Sequence, residues 1–258
     1  MLCREIVEVI ESTYPKHAAE KWDNVGLLVG RTEKEVKKIF VALDATDEVI
    51  EEAVQVGADM LVTHHPLIFS PMKQITDEHF IGSRVVKLLQ HDISYYAMHT
   101  NYDVIGMAEL SGKTLGLQDM EVFEVTDVEC NAGFGRIGSL ETEMTLEECC
   151  ELVKRKFALS NVKLFGDKKK VVKRAAVLPG SGKDMIETAV SKKAEVYITG
   201  DIAHHDGIDA VAQGLAIIDA GHYGLEHIFI DDMVSYLEQN LDQILVEKAE
   251  IIHPFQMI

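Results

Sequence analysis

The sequence predicts an α/β protein of two similar lobes related by internal duplication, with a metal site in the cleft between them. Short apolar runs alternate with segments of helical periodicity, which is the βαβ order of a parallel sheet. The same order returns in the second half of the chain, and several apolar runs end in histidine or acidic residues. Ligands beyond the carboxyl ends of strands are the usual site placement in α/β sheets. We assign residues 1–126 with 230–258 to the first lobe and 127–229 to the second.

The elements follow in order from the hydrophobic pattern. The segment Met1 to Asp23 is charged throughout and predicts an amphipathic helix with Ile6, Val9 and Ile10 on its apolar face. The first repeat then contains strand 38–43, helix 47–56, strand 59–62, helix 83–90 and strand 93–98. The second repeat contains strand segments 171–172 and 175–178, helix 183–191, strand 195–198, helix 206–213 and strand 215–218.

Internal alignment supports the duplication. Each half ends a strand in a histidine followed four positions later by a carboxylate, His99 with Asp103 and His222 with Glu226. Three further segments match in register, which makes chance the weaker explanation. They are 40–46 with 175–181, 52–54 with 188–190, and 58–63 with 194–199.

Composition limits the classes of function. The 258 residues are 47% hydrophobic and 26% charged, so the chain is long and apolar enough for a sizeable core. A net charge of −18 makes nucleic acid an improbable partner, because backbone binding needs a basic stripe. No apolar stretch is long enough for a membrane span, and we expect a cytoplasmic protein. The four cysteines lack metal-type spacing and are expected to be ordinary thiols.

His64 and His65 are the strongest sign of a metal site. They follow the apolar run 58–63 and precede Pro66. Consecutive residues of a strand point to opposite faces, so two adjacent histidines cannot both be ordinary core residues. From a turn just past the strand, both can reach one metal centre. Asp103, His222 and Glu226 complete a set of imidazole and carboxylate donors typical of zinc, iron or manganese, and a polynuclear metal site is our hypothesis.

Other polar motifs have weaker interpretations. His99 has either a structural role or a role in proton transfer, and the doublet His204 and His205 at a helix start is as compatible with substrate contact as with no role. The stretch 179–183, Pro-Gly-Ser-Gly-Lys, does not meet the phosphate-loop pattern and predicts a glycine turn, with anion binding as a weak alternative. Trp22-Asp-Asn-Val-Gly26 predicts a tight turn anchored by Trp22, with a position at the rim of the site as the second interpretation.

Together these motifs resemble a known family. Trp22-Asp-Asn-Val-Gly26, Thr63-His-His-Pro66, His99-Thr-Asn-Tyr-Asp103, Thr199-Gly-Asp201 and Gly221-His-Tyr-Gly-Leu-Glu226 are similar to those of the NIF-three-like proteins, also called GTP cyclohydrolase 1 type 2 homologues. The resemblance covers nearly the whole chain. It implies two α/β lobes, a toroidal homohexamer and two divalent cations held between the lobes. Carried over by position, it implies the same ligands: His64, His65, Asp103, His222 and Glu226.

Three functions are compatible with these residues. The first is a GTP cyclohydrolase, in which metal-activated water attacks the purine and formate is released, with His99, His204 or His205 handling protons. The second is another two-metal hydrolase that acts on a phosphoester or a small metabolite. The third is a non-catalytic metal-binding oligomer, in which the metal stabilises the assembly. Histidine and carboxylate ligands do not distinguish zinc, iron and manganese.

Overall fold

A computed structural model describes residues 1–127 and 131–256 and divides the chain into two compact units. The first unit consists of Met1–Tyr102 and Phe229–Ile252. The second consists of Asp103–Ile228 and the residues from His253 onward. Residues 128–130 and 257–258, which the sequence assigns to the second and first lobes, lie outside the described residues. The sequence-based boundary at 126 differs from this division, because residues 118–127 form a strand of the second sheet.

The described residues form strands and helices in alternation. The strands are β1 Gly26–Val29, β2 Lys38–Ala42, β3 Met60–Thr63, β4 Ser94–Ala97, β5 Gln118–Asp127, β6 Ala132–Thr145, β7 Lys163–Phe165, β8 Val171–Ser181, β9 Val196–Gly200, β10 Ala216–Asp219 and β11 Leu245–Lys248. The helices are α1 Cys3–Thr13, α2 Asp47–Gln55, α3 Phe80–Gln90, α4 Thr100–Tyr102, α5 Ala108–Leu115, α6 Leu146–Lys156, α7 Ile186–Ser191, α8 His204–Ala212, α9 His222–Glu226 and α10 Ile228–Asn240. A π-helical segment, Asp103–Met107, and two 3₁₀ turns, Lys16–Ala18 and Lys183–Met185, complete the elements.

The first unit is built on a five-stranded sheet in the order β1-β4-β3-β2-β11. β2, β3 and β4 are parallel, while β1 pairs antiparallel with β4 at one edge. β3 and β4 are buried along their whole length, which explains why they are continuous apolar runs without alternation. α1 buries Ile6 and Ile10, as its periodicity predicts, but the helix ends at Thr13 and not at Asp23. Thr46 begins α2 by accepting a hydrogen bond from the Val49 N–H.

The second unit contains a six-stranded sheet in the order β5-β6-β8-β9-β10-β7. β8, β9 and β10 are parallel, and β7 pairs antiparallel with β10 at the edge. β5 and β6 form a long antiparallel pair beside β8. One apolar cluster, which includes Phe157 and Leu225, packs α6 and α9 against the sheet. A second cluster around Tyr197 and Phe123 contains Ala189 of α7 and Ala210 of α8.

The two sheets repeat one arrangement, which confirms the prediction of two similar α/β lobes. The order β1-β4-β3-β2 in one sheet corresponds to β7-β10-β9-β8 in the other, with the same antiparallel edge strand. An acidic residue before the middle strand accepts two hydrogen bonds from consecutive backbone N–H groups in each unit. These bonds run from Lys37 and Lys38 to Asp59, and from Lys173 and Arg174 to Glu195.

Strand register changes one of the aligned segments by one residue. Ile39 pairs with Met60, whereas Ala175 pairs with Val196, the counterpart of Met60. Ile39, not Phe40, is therefore the structural equivalent of Ala175. A shift of one residue along a strand exchanges its two faces. Hydrophobic periodicity alone therefore does not define which residues of the two units are equivalent.

Among the described residues, no helix combines the length and the apolar composition needed to span a membrane. Cys3, Cys149 and Cys150 are free thiols, as expected from the sequence. Cys130 lies outside the described residues.

Candidate metal centre

His64 and His65 lie in the turn that follows β3 in the first unit. The His64 side chain is fully buried, and the two rings are 4.8 Å apart. Buried Tyr95 fixes this turn, since its hydroxyl donates to the His65 carbonyl at 2.9 Å and accepts from the Leu67 N–H at 2.8 Å. The turn therefore brings both imidazoles to the same place, as the sequence predicts for residues just beyond a strand.

His99 joins this pair at the end of the neighbouring strand β4. Its ring centre lies 5.4 Å from that of His64 and 5.7 Å from that of His65. Each of the three histidines offers a ring nitrogen, and these nitrogens all lie within 4.8 Å of one another. The first unit thus contains a three-histidine group that could hold a metal ion.

Carboxylates hold two of these imidazoles in place. His65 Nδ1 lies 2.7 Å from Asp44 Oδ1, and His99 Nδ1 lies 2.9 Å from Asp23 Oδ1. A carboxylate on Nδ1 favours the tautomer with the proton there, which makes Nε2 the metal-binding atom. This arrangement is typical of histidines that bind metals in proteins.

Asp23 is the most strongly held of these carboxylates. Its side chain is fully buried. Burial raises the pKa of Asp23, but hydrogen bonds from His99 and Thr100 outweigh this effect and lower the pKa to about 2. Asp23 is therefore ionised at neutral pH and orients His99 electrostatically.

His222 and Glu226 lie together in the second unit, on the short helix α9. His222 Nε2 is 3.0 Å from Glu226 Oε2, as the spacing of four residues on a helix allows. His222 Nδ1 is 2.8 Å from Asp201 Oδ2, so this histidine also has a carboxylate on Nδ1. Glu226 is only 3% exposed. A buried carboxylate of this kind is well suited to a cation.

The glycine-rich stretch 179–183 makes room for Glu226. Gly180 has a φ of +79°, and a Cβ at this position would lie 2.6 Å from Glu226 Oε1. The stretch ends strand β8 and leads into the 3₁₀ turn Lys183–Met185. Residues 179–181 therefore belong to a strand and not to the glycine turn predicted from the sequence, and Gly180 has a steric role beside the acidic ligand candidate.

Within the second unit, Asp103 and Glu226 offer carboxylate oxygens within 4.8 Å of each other, whereas His204 and His205 lie apart from them. Asp103 begins the π-helical segment, a helix type that is frequent at functional sites. His204 and His205 are exposed at the start of α8, with their rings 5.1 Å apart. His204 and His205 belong to no metal-binding group among the residues that the structure describes.

A cavity of 1230 Å³ adjoins His222 in the second unit. Asp201, Gly221 and Tyr223 line it together with His222, and its wall also includes Lys163 and Phe255. Ligand pockets are commonly ~300–1,000 Å³, so this space is large enough for a small organic molecule.

Sequence reasoning missed the three carboxylates that orient the histidines. Asp44 and Asp201 follow β2 and β9, so their positions after apolar strands were the available signal. Asp23 was interpreted as part of a tight turn anchored by Trp22. In the structure Trp22 is 58% exposed, whereas the Asp23 side chain is buried against His99.

Comparisons with known proteins agree with this fold. Residues 1–254 match the family model DUF34/NIF3 (NGG1p interacting factor 3). A protein of Clostridium perfringens named GTP cyclohydrolase 1 type 2 homolog is 35% identical, with 100% of both chains covered. The structure is similar to a Bacillus cereus protein related to NIF3, with a TM-score of 0.93, 28% identity and coverage of 100% and 99% of the two chains. It is also similar to reduced HcgD from Methanocaldococcus jannaschii, with a TM-score of 0.84, 33% identity and coverage of 96% and 97%. The chain therefore belongs to the DUF34/NIF3 family.

Proposed function

We propose that this protein is a dinuclear metal hydrolase that opens the purine ring of a nucleotide such as GTP and releases formate. One observation carries the proposal: His65 and His222 each have a carboxylate on Nδ1, which prepares Nε2 to bind a metal. The name of the Clostridium perfringens relative supports the choice of reaction.

Two divalent cations would be held by histidine and carboxylate donors. The proposed ligands are His64, His65, Asp103, His222 and Glu226. Neutral imidazole and carboxylate are donors for zinc, iron or manganese, and the residues present fit such an ion. When bound, a divalent cation of this kind lowers the pKa of a coordinated water to about 7 and so supplies hydroxide at neutral pH.

The chain's own residues supply orientation and proton transfer. Asp44 and Asp201 fix the rings of His65 and His222, so that the ligand atoms are preorganised before substrate arrives. His99, with Asp23 on Nδ1, is placed to accept or donate a proton at Nε2. His204 and His205 are exposed and are retained only as candidates for substrate contact. As in the family resemblance, the proposed assembly is a homohexamer.

Metal analysis combined with a formate assay tests this proposal. Wild type, Glu226→Gln and the exposed control Glu238→Gln are purified and loaded separately with zinc, iron(II) or manganese. We expect two metals per chain and formate from GTP in wild type and in the control. Glu226→Gln is expected to lose metal and formate together. Formate release by metal-free protein would contradict a metal-dependent mechanism, and phosphate release without formate would indicate a phosphoester hydrolase.

A further inference from the structure

Two large aromatic side chains are exposed beside the histidine group of the first unit. Trp22 is 58% exposed and Phe69 is 52% exposed, and their ring centres are 5.8 Å apart. Both rings also lie 5.9 Å from the ring of His99. Covering two such rings with a ligand removes apolar surface from water, so their contact beside the histidine group is a candidate binding surface.

The two loops that carry these rings are fixed by buried polar contacts. Asn24 Nδ2 donates to the Ile68 carbonyl at 2.6 Å, which ties the loop of Trp22 to the loop of Phe69. Asp23 accepts hydrogen bonds from the Thr100 N–H and hydroxyl at 3.0 and 2.5 Å. The Glu20 N–H donates to Thr100 Oγ1 at 2.9 Å. The exposed rings are therefore held on a rigid support, which reduces the entropy lost when a ligand binds.

We propose that Trp22 and Phe69 form a stacking subsite for the planar heterocyclic base of the substrate. This inference rests on the proposed function and specifies its substrate class as nitrogen heterocycles. A base stacked on this pair would lie next to His99, where the ring that reacts must be. Stacking depends on the π-face of the base and not on its charge, so the net charge of −18 does not oppose it.

The size of the pair favours a small ring over a protein partner. Two rings in contact offer a surface comparable to one base, whereas stable protein interfaces bury roughly 800 Å² on each partner. The contact with His99 also links the pair to the candidate metal group, and not to a surface remote from it.

Ligand binding to metal-loaded wild type and variants tests the subsite. Trp22 is the only tryptophan of the chain, so its fluorescence reports directly on the proposed contact. The probes are GTP, guanosine as a base without phosphates, and tripolyphosphate as phosphates without a base. The variants are Trp22→Leu and Phe69→Leu, with Trp22→Phe and Phe69→Tyr as ring-retaining partners. Phe80→Leu is the matched control, because Phe80 is 57% exposed on α3. Calorimetry gives the dissociation constants where Trp22 is replaced.

We expect GTP and guanosine to quench Trp22, and tripolyphosphate to leave its emission unchanged. Loss of either ring to leucine is expected to weaken binding of GTP and guanosine roughly 5- to 100-fold. Trp22→Phe, Phe69→Tyr and Phe80→Leu are expected to remain within about threefold of wild type. Metal content and melting temperature should be the same in all variants, because the rings are exposed.

Several results would overturn the subsite. The first is failure of GTP and guanosine to bind the wild-type protein. The second is unchanged affinity for these ligands in both leucine variants. The third is a leucine variant that changes its oligomeric state but not its affinity for the ligands. The formate assay separates this inference from the proposed function. Binding that depends on the two rings, without formate release, would support the subsite and contradict the cyclohydrolase. Normal formate release with unchanged affinity in the leucine variants would support the cyclohydrolase and contradict the subsite.

Discussion

The two units share a backbone frame but place different chemistry at equivalent strand ends. Thr63 and Thr199 occupy equivalent positions near the ends of β3 and β9, yet the next two residues are His64 and His65 in one unit and Gly200 and Asp201 in the other. In the first unit Asp44, after β2, holds the histidine after β3. In the second unit Asp201, after β9, holds the histidine after β10.

The histidine–carboxylate pair has thus moved by one strand between the units. Gly180 lies near the end of β8, and its missing side chain leaves space that Glu226 fills. The comparison shows that a duplicated sheet retains the position of a site while its ligands diverge, because the strand ends are adjacent in both units and only the side chains change.

The largest effect is expected from adding a methyl group at Gly180. Gly180→Ala would place Cβ 2.6 Å from Glu226 Oε1 at a φ of +79°, so the acidic side chain must move. We expect loss of metal binding and a decrease of about 3 kcal/mol in the free energy of unfolding, from left-handed strain together with the clash. The control is Gly214→Ala, at a φ of +89° with no atom within 4 Å, where only about 1 kcal/mol is expected. Metal analysis and urea unfolding measure both, and equal effects at the two glycines would remove the steric role of Gly180.

The moved carboxylate pair predicts equal defects in the two units. Asp44→Asn and Asp201→Asn keep the shape of the side chain but remove the negative charge that lies beside Nδ1 of His65 and of His222. Each is expected to weaken metal binding about 10- to 100-fold, as measured by competition with a chelator. Asp242→Asn, at an exposed position, is the control. A defect in only one unit would show that the two pairs are not functionally equivalent.

A smaller difference is expected between two equivalent lysines. Lys34 Nζ donates to the backbone carbonyls of Asp59 and Asp92, and Lys170 Nζ donates to those of Glu195 and Gly214. Lys34 is only 8% exposed, so Lys34→Met removes a buried donor from the carbonyls of Asp59 and Asp92. We expect a loss of about 1–3 kcal/mol for Lys34→Met and under about 1 kcal/mol for Lys170→Met. Similar losses from both substitutions would show that burial does not distinguish the lysines.

The smallest effect concerns pH. Burial raises the pKa of Glu195, but hydrogen bonds from the backbone N–H groups of Arg174 and Lys173 outweigh it and hold the pKa below its ordinary value. A lowered folded-state pKa gives stability that is present above the unfolded-state pKa and lost as pH falls through the folded-state pKa. Stability of wild type should therefore decline below about pH 4.5 more steeply than that of Glu195→Gln. Parallel pH profiles from urea unfolding would contradict this role.

Much of the fold follows from local pattern. The parallel strands β2, β3, β4, β9 and β10 are short and largely apolar, and the predicted elements of both repeats are present with ends that differ by a few residues. The long pair β5 and β6 was missed, because its strands mix exposed and buried positions with bulges and lack a regular period. Helices α6 and α10 were also missed, although Thr145 and Glu148 form a capping box at the start of α6.

Residue type and position at strand ends were sufficient to predict the two lobes, the family and the histidines of the candidate centre. They were not sufficient to identify which carboxylate holds which ring. Asp23 and His99 are 76 residues apart in sequence, and their contact depends on the pairing of β1 with β4. The exposure of Trp22 and the space at Gly180 likewise depend on neighbours from other segments. Local periodicity reports which face of an element is buried, whereas contacts between distant segments are set by strand register and loop packing, which only the folded chain defines.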